Sequence, residues 1–244
     1  MMKEVRFEIA ENAALTDRVF RLRLAGDTSA VRGPGQFVSL SLPGFFLRRP
    51  FSVCDCLDGE LTLVYQLAGR GTEALSRMRS GRLSVLTGLG NGFDLCRAGD
   101  APLLIGGGLG LTPLYYLAKS LSAPPRVLLG FGSEKDAVYM DEFRALGADV
   151  TVCTADGSLG ERGLVTDLLP RFAYSYFYAC GPLPMAEALC REAAGPGQIS
   201  LEARMGCGFG ACMGCTVETT GGPRRVCRDG PVFEKEALVW PTRA

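Results

Sequence analysis

Pro102-Leu103-Leu104-Ile105-Gly106-Gly107-Gly108-Leu109-Gly110-Leu111-Thr112-Pro113 is the stretch on which the reading of this chain turns. A short apolar run enters a glycine-rich loop and leaves it as a helix, expected from Pro113 to Leu121. A buried strand that feeds a helix through glycines is the opening unit of a parallel α/β sheet, and its loop lies where backbone can approach a pyrophosphate. By spacing this is not G-x-G-x-x-G, and close strand–helix packing is the competing reading of the same glycines. Further apolar runs follow at Val127–Gly132, Asp149–Cys153 and Tyr176–Ala179, with helical segments expected over 137–146 and 183–194. That alternation predicts a parallel-sheet nucleotide-binding domain over residues 98–195. Cys180-Gly181-Pro182 ends the last of these strands, at the sheet edge where ligands of such domains sit.

Upstream of Ala101 the period of the pattern is two. Val5–Ile9, Val19–Leu24, Phe37–Leu42 and Leu61–Gln66 alternate apolar and polar residues, with turn signals such as Pro34-Gly35 and Asp58-Gly59 between them. Residues 1–97 are therefore expected to form a small antiparallel β-barrel, interrupted by one helix from Thr72 to Arg79 with Thr72 as its N-cap. Two segments here carry possible chemistry. In Arg49-Pro50-Phe51-Ser52 the guanidinium can neutralise a pyrophosphate, the ring can pack on an isoalloxazine, and the hydroxyl can reach its redox-active edge; a plain turn is the alternative. Gly69-Arg70-Gly71-Thr72 opens the helix, whose N-terminal N–H groups suit a phosphate but equally suit an ordinary cap.

After Gly195-Pro196-Gly197 comes a third module, residues 196–244, holding Cys207, Cys212, Cys215 and Cys227. Their spacing, C-x4-C-x2-C-x11-C, begins with the plant-type ferredoxin pattern for a [2Fe-2S] cluster. Gly206, Gly208, Gly210 and Gly214 let backbone N–H groups turn toward the sulfurs. Structural zinc and incidental buried cysteines are the other readings, although zinc modules favour paired, short-spaced ligands on separate knuckles. The remaining six cysteines show no second metal pattern.

The 26 Lys and Arg residues balance 26 Asp and Glu, which argues against a nucleic-acid or polybasic membrane surface. Hydrophobic residues at 47% and charged residues at 21% support a packed core. The N-terminal MMKEVRFEIAENAA has no apolar segment of a secretory signal, and the 103–118 run is broken by glycines and too short to cross a bilayer. A cytoplasmic setting with reduced cysteines is expected. The chain has no histidine, which removes the usual general base and His-ligated metals.

Together these residues resemble the ferredoxin-reductase-like flavoprotein superfamily and, more finely, the electron-transfer subunits of class 1B dihydroorotate dehydrogenases. The finer likeness rests on R-R-P-F-S at 48–52, L-G-N-G-F at 89–93, D-G-S-x-G at 156–160, V-T-D-L-L at 165–169 and the terminal cysteines. Thr87-Gly88, where Gly-Pro is expected, and Gln66, where a basic residue is common, depart from it. The resemblance implies an FAD-binding barrel, an NAD-binding α/β domain and a small C-terminal [2Fe-2S] module. It assigns FAD to Arg49, Pro50, Phe51, Ser52, Val64, Tyr65, Gln66, Gly71 and Thr72. It assigns the nicotinamide nucleotide to Gly106, Gly107, Gly108, Gly110, Thr112, Gly181 and Pro182, with Asp156 near a ribose, and the cluster to Cys207, Cys212, Cys215 and Cys227. Ser52 at the flavin edge and Cys180 beside the nicotinamide are the implied catalytic residues. The implied partner is an FMN-containing catalytic subunit, two of each chain forming a heterotetramer that oxidises dihydroorotate and reduces NAD+ in pyrimidine biosynthesis. The competing functions are an NAD(P)H-dependent reductase feeding an oxygenase, ferredoxin or hydrogenase, and a non-catalytic zinc-bearing interaction module.

Overall fold

The computed structural model describes residues 1–241. Its first half is a closed antiparallel barrel of β1 (Lys3–Ala14), β2 (Val19–Ala25), β3 (Phe37–Ser41), β4 (Arg49–Leu57) and β5 (Glu60–Gln66), then helix α1 (Arg70–Arg77) and β6 (Arg82–Leu89). The strand order is β1-β2-β5-β4-β3-β6. The period-two pattern is visible in β6, where Leu83, Val85, Thr87 and Leu89 point inward and the residues between them do not; each large apolar side chain so buried contributes about 1.5–3 kcal/mol. Helix α1 closes the barrel, and Asn12 fastens it there. Its amide donates to the Leu75 and Met78 carbonyls at 2.8 and 2.9 Å while its oxygen accepts from the Tyr65 hydroxyl at 3.0 Å.

The helix begins two residues earlier than Thr72, so Thr72 is not its N-cap. Gly69 occupies that position, and Thr72 reaches back instead, its Oγ1 accepting from the Ala68 and Gly69 N–H groups at 2.8 and 3.2 Å. A hydroxyl in the first turn satisfies amides preceding the helix as readily as those within it.

The second half is a seven-stranded sheet. In chain order it comprises β7 (Pro102–Gly107), helix α2 (Leu111–Ser120), β8 (Arg126–Phe131), α3 (Met140–Ala145), β9 (Asp149–Thr154), β10 (Glu161–Arg162), α4 (Val165–Leu168), β11 (Tyr176–Gly181), α5 (Leu183–Glu192) and β12 (Gly197–Leu201). A short hairpin of β13 (Thr216–Val217) and β14 (Arg224–Arg225), helix α6 (Val226–Asp229) and β15 (Val232–Glu234) complete the chain. The order is β10-β9-β8-β7-β11-β12-β15, parallel throughout except for β15 against β12. Strands β7 and β11 are buried along their whole length, as expected for parallel strands covered on both faces.

The chain runs outward from β7 to β10, then returns to place β11 and β12 on the other side of β7. The reversal makes a crevice at the carboxyl ends of β7 and β11, the usual ligand position in such sheets. The boundary expected at 195/196 falls short of the sheet's edge, because Gly197–Leu201 and Val232–Glu234 are two of its strands. The barrel docks through β4 on α2, where Lys119 pairs with Asp55. No helix among the described residues is long and apolar enough to cross a membrane.

Candidate functional site

A cleft of about 400 Å³ lies between barrel and sheet. From the barrel it is lined by Arg49–Ser52 at the start of β4, Val64–Gln66 at the end of β5, and Thr72. From the sheet it is lined by Leu109, Thr112 and Cys180. A third wall, Ser200 to Ala203 with Met205 and Pro231, has no counterpart in the sequence reading.

Gly71 lies just outside this cleft, on an adjoining depression of about 450 Å³ with Phe45, Arg49 and residues 68–72. A Cβ at Gly71 would sit 2.7 Å from Arg49 Nε. The guanidinium therefore lies directly over the first turn of α1, held by the Phe45 ring 5.0 Å away and by the Leu47 carbonyl. A delocalised cation over a helix N-terminus is a strong anion position. Tyr65 spends its side chain on the core: the ring stacks on Phe20 at 5.6 Å, and burial pushes the phenol up to about 12.

The glycine loop and Cys180-Gly181-Pro182 are brought together at the crevice. A Cβ at Gly110 would lie 2.0 Å from the Cys180 carbonyl, and one at Gly107 would meet Met185 Sδ at 2.6 Å and Pro182 at 3.0 Å. Gly106, Gly107 and Gly110 thus let β7, α2 and the end of β11 pack closely, the structural reading of this motif. Gly108 alone of the four, at φ +53°, faces open space. Asp156 is outside the cleft, in the turn after β9, where its Oδ1 accepts from the Ser158 N–H and hydroxyl at 2.9 and 2.6 Å.

Cys180 is buried, and desolvation, with Glu202 nearby, raises its pKa far enough to keep it a neutral thiol. Glu202 follows the last residue of β12. The residue is exposed, yet enough protein lies around the carboxyl to raise its pKa by desolvation. It is the titratable residue that the sequence reading missed. The available signal was a carboxylate directly after a short apolar run at a sheet's carboxyl edge.

The four cysteines stand as two pairs. The Cys212 N–H points at Cys207 Sγ at 3.4 Å, and the Cys207 N–H at Cys212 Sγ at 3.5 Å. The β13–β14 hairpin returns the chain so that the Cys227 N–H meets Cys215 Sγ at 3.4 Å. Among the described residues no group of three His, Cys, Asp or Glu closes on one metal ion. Burial opposes ionisation of Cys207, but the N–H groups of Cys212, Phe209 and Ala211 outweigh it and bring its pKa down to about 6. Cys227 is pushed up to about 12 by burial and by Cys215.

A family model for the iron–sulfur cluster binding domain of dihydroorotate dehydrogenase B matches residues 202–239. The chain is 39% identical to the dihydroorotate dehydrogenase B (NAD(+)) electron transfer subunit of Lysinibacillus sphaericus, over 98% of this chain and all of that one. The Bacillus caldolyticus protein of the same name gives the same identity and coverage. This chain belongs to the dihydroorotate dehydrogenase B electron transfer subunit family. Among solved structures, the NADH-dependent reduced ferredoxin-NADP oxidoreductase superposes with a TM-score of 0.84 at 29% identity, covering 96% of this chain and 90% of the other. The ferredoxin reductase of carbazole 1,9a-dioxygenase, at 24% identity and a TM-score of 0.68 over 78% of this chain and 64% of the other, shares the fold.

The electron transfer subunit offers a site that fits the family's groups. The Arg49 guanidinium, lying so close over Gly71 that a Cβ there would displace it, suits a dinucleotide pyrophosphate at the start of α1. Two thiol pairs with N–H groups aimed at sulfur suit a cluster with two ligands per iron.

Proposed function

We propose that this chain is the electron-transfer subunit of an NAD-dependent dihydroorotate dehydrogenase, moving electrons from a catalytic subunit to NAD+ in pyrimidine biosynthesis. The observation that carries the reading is the continuity of cleft and cysteine loop. Met205 and Pro231 line the cleft, and Met205 is two residues from Cys207. At about 3.3–3.6 Å per residue, two residues span at most about 7 Å. Cys227 is four residues before Pro231, through the single turn of α6.

Bound FAD would supply hydride exchange with nicotinamide and single-electron exchange with a [2Fe-2S] cluster held by the cysteines. The chain's own residues bind and orient. Arg49 and the start of α1, with Gly71 and Thr72, hold pyrophosphate. Pro50, Phe51 and Val64 to Gln66 give the flavin its wall, and the Ser52 hydroxyl is placed at its edge. Gly108, Thr112, Gly181 and Pro182 give the nicotinamide nucleotide the sheet's crevice, and Gly106, Gly107 and Gly110 set its shape by close packing. Asp156, in the neighbouring turn, would meet a ribose. Cys180 offers a neutral thiol beside the nicotinamide, so the hydride path carries no competing nucleophile. Cys207, Cys212, Cys215 and Cys227 hold the cluster.

We assign residues 1–97 to the FAD-binding barrel and 98–195 with β12 and β15 to the nucleotide-binding domain. The remainder of 196–244 forms the cluster module. The partner is proposed to be the FMN-containing catalytic subunit, in a cytoplasmic heterotetramer of two of each chain. Its contact face would include Phe46, fully exposed, with Phe209 and Met213, which are about half exposed. Gly208 lies beside Ser39, whose carbonyl accepts from Arg48 at 3.2 Å, so the 45–48 loop adjoins the cluster loop.

Co-expression with the FMN subunit tests the assignment. A stable complex with flavin and [2Fe-2S] absorption and dihydroorotate-dependent NAD+ reduction is the expected result. Failure of both assembly and turnover by a cofactor-replete chain moves the assignment to a reductase serving another acceptor.

A further inference from the structure

The L-G-N-G-F segment at 89–93 lies outside the flavin lining, and the structure gives it a different task. Val232 is the first residue of β15, and β15 is the outer strand of its sheet. On its inner side β15 pairs with β12, Ile199 opposite Phe233, and the Leu201 N–H donates to the Pro231 carbonyl at 2.9 Å. The backbone groups of Val232 face the other way. Asn91 takes both: its Nδ2 donates to the Val232 carbonyl at 2.8 Å, and its Oδ1 accepts from the Val232 N–H at 3.1 Å. A primary amide carries the same donor–acceptor pair as a peptide unit, so one side chain does here what a neighbouring strand would do.

Three more contacts fix the segment that carries Asn91. The Asn91 N–H donates to the Gly230 carbonyl at 2.8 Å. The Gln36 amide donates to the Gly90 carbonyl at 2.9 Å. Gly90, at φ +79°, brings the backbone so close to Pro231 that a Cβ would lie 2.6 Å from its Cδ and 3.2 Å from the Phe37 ring. Pro231 and Phe37 are both cleft-lining residues.

We propose that Asn91 is a positioning residue that sets the spacing between the flavin cleft and the cluster. It clamps residues 230–232 to the barrel, and that short segment carries a cleft wall at Pro231 and the fourth cysteine, Cys227, one helical turn upstream. The other three cysteines reach the cleft through residues 202–206, which form no strand or helix. The Asn91 clamp is thus the hydrogen-bonded tie between the barrel and the Cys227 arm. This proposal rests on the relay assigned above.

The test uses Asn91→Ala, which removes both bonds, and Asn91→Asp, which keeps the shape and the acceptor but loses the donor. Two readouts are taken on the full chain. Amide hydrogen exchange over residues 230–234 reports the clamp with or without cofactors; it is expected to accelerate in both variants, more in Asn91→Ala. Rapid mixing with NADH, which supplies the electrons, separates bleaching of the flavin from the following bleaching of the cluster. Flavin bleaching is expected at the wild-type rate, and electron passage to the cluster is expected to be slowed severalfold, because the gap it crosses is no longer fixed. Unchanged exchange shows that Asn91 clamps nothing and overturns the proposal. Loosened amides with unchanged passage to the cluster overturn it as well. Outright cluster loss in both variants also overturns it, since Asn91 would then serve the module's stability and not its placement. A wild-type chain that binds no flavin or cluster refutes the relay instead, while the exchange readout still judges the clamp.

Discussion

Gly71→Ala should raise the stability of the barrel and lower its affinity for FAD, and both signs follow from one distance. Gly71 is the second residue of α1, and its φ is compatible with any L-residue. Alanine is favoured over glycine in a helix by up to about 1 kcal/mol, so the apoprotein's thermal midpoint should hold or rise. The new Cβ would sit 2.7 Å from Arg49 Nε, against an ordinary contact of at least 3.4 Å. The guanidinium must therefore retreat by about 0.7 Å, a shift that degrades a charge-assisted hydrogen bond. Losing the whole of one such bond costs about 1.5–3 kcal/mol. Arg49→Ala should weaken FAD about 10- to 150-fold, and Gly71→Ala should realise about half of that free energy. Titration calorimetry of FAD into apoprotein gives the four corners of a double-mutant cycle. Because Gly71→Ala acts through Arg49, it should be nearly silent once Arg49 is alanine, leaving a coupling of about 1 kcal/mol. Additive effects, within about 0.5 kcal/mol, would falsify the argument and mean that Gly71 serves something other than the guanidinium.

Gly110→Ala places a Cβ 2.0 Å from the Cys180 carbonyl, and backbone on both sides cannot yield; the variant should lose several kcal/mol, exceptional for a point change, or fail to fold, seen as loss of the cooperative thermal transition. Cys212→Ser should leave NADH able to bleach the flavin while abolishing electron passage to the partner; retained passage refutes the ligand assignment. Glu202 is an exposed residue whose carboxyl pKa is nonetheless raised by the protein around it. The folded state therefore binds its proton somewhat more tightly than the unfolded state does, by an amount that solvent screening keeps small. Stability from this group is fullest at low pH and declines as pH rises through the raised pKa. Glu202→Gln should raise the thermal midpoint at pH 8 and leave it unchanged near pH 4; an equal shift at both values would show that the carboxyl is not desolvated.

The barrel and the sheet were legible because their residues announce burial locally. Alternation in β2 and unbroken apolar runs in β7, β8 and β11 need no tertiary information. Strand β5, expected to alternate, is instead buried without a break from Leu61 to Tyr65, because the barrel core covers one face and the sheet domain packs against the other. The cysteine spacing was equally direct, and the backbone pairing of Cys207 with Cys212 and of Cys215 with Cys227 follows from it once the hairpin is added. The third cleft wall was not legible. Ser200, Glu202 and Met205 line the cleft because the chain crosses back over β7 before laying down β11 and β12. Nothing within 200–205 records that crossing. The glycine loop shows the opposite limit: its residues were picked out correctly as special, but glycine is required equally by a phosphate and by a neighbouring backbone. Only the 2.0 Å approach of Gly110 to the Cys180 carbonyl separates these uses.

The position of β12 and β15 in the sheet has a mechanical consequence. Were the cysteines on a tethered ferredoxin-like domain, the gap between cleft and cluster would depend on docking, and relative motion would be the default. Here both arms of the loop start from cleft-lining residues, Met205 on one side and Pro231 on the other, and each arm begins at a strand of the same sheet. The gap is then a property of the core, and no hinge has to close for electrons to cross it. A partner need only approach the outer face, where Phe46, Phe209 and Met213 are exposed. Its binding strength can vary without altering the internal step. Substitutions on that face should therefore change assembly and leave NADH bleaching of flavin and cluster untouched, whereas a change at Asn91 should leave assembly and flavin bleaching untouched and slow only the bleaching of the cluster.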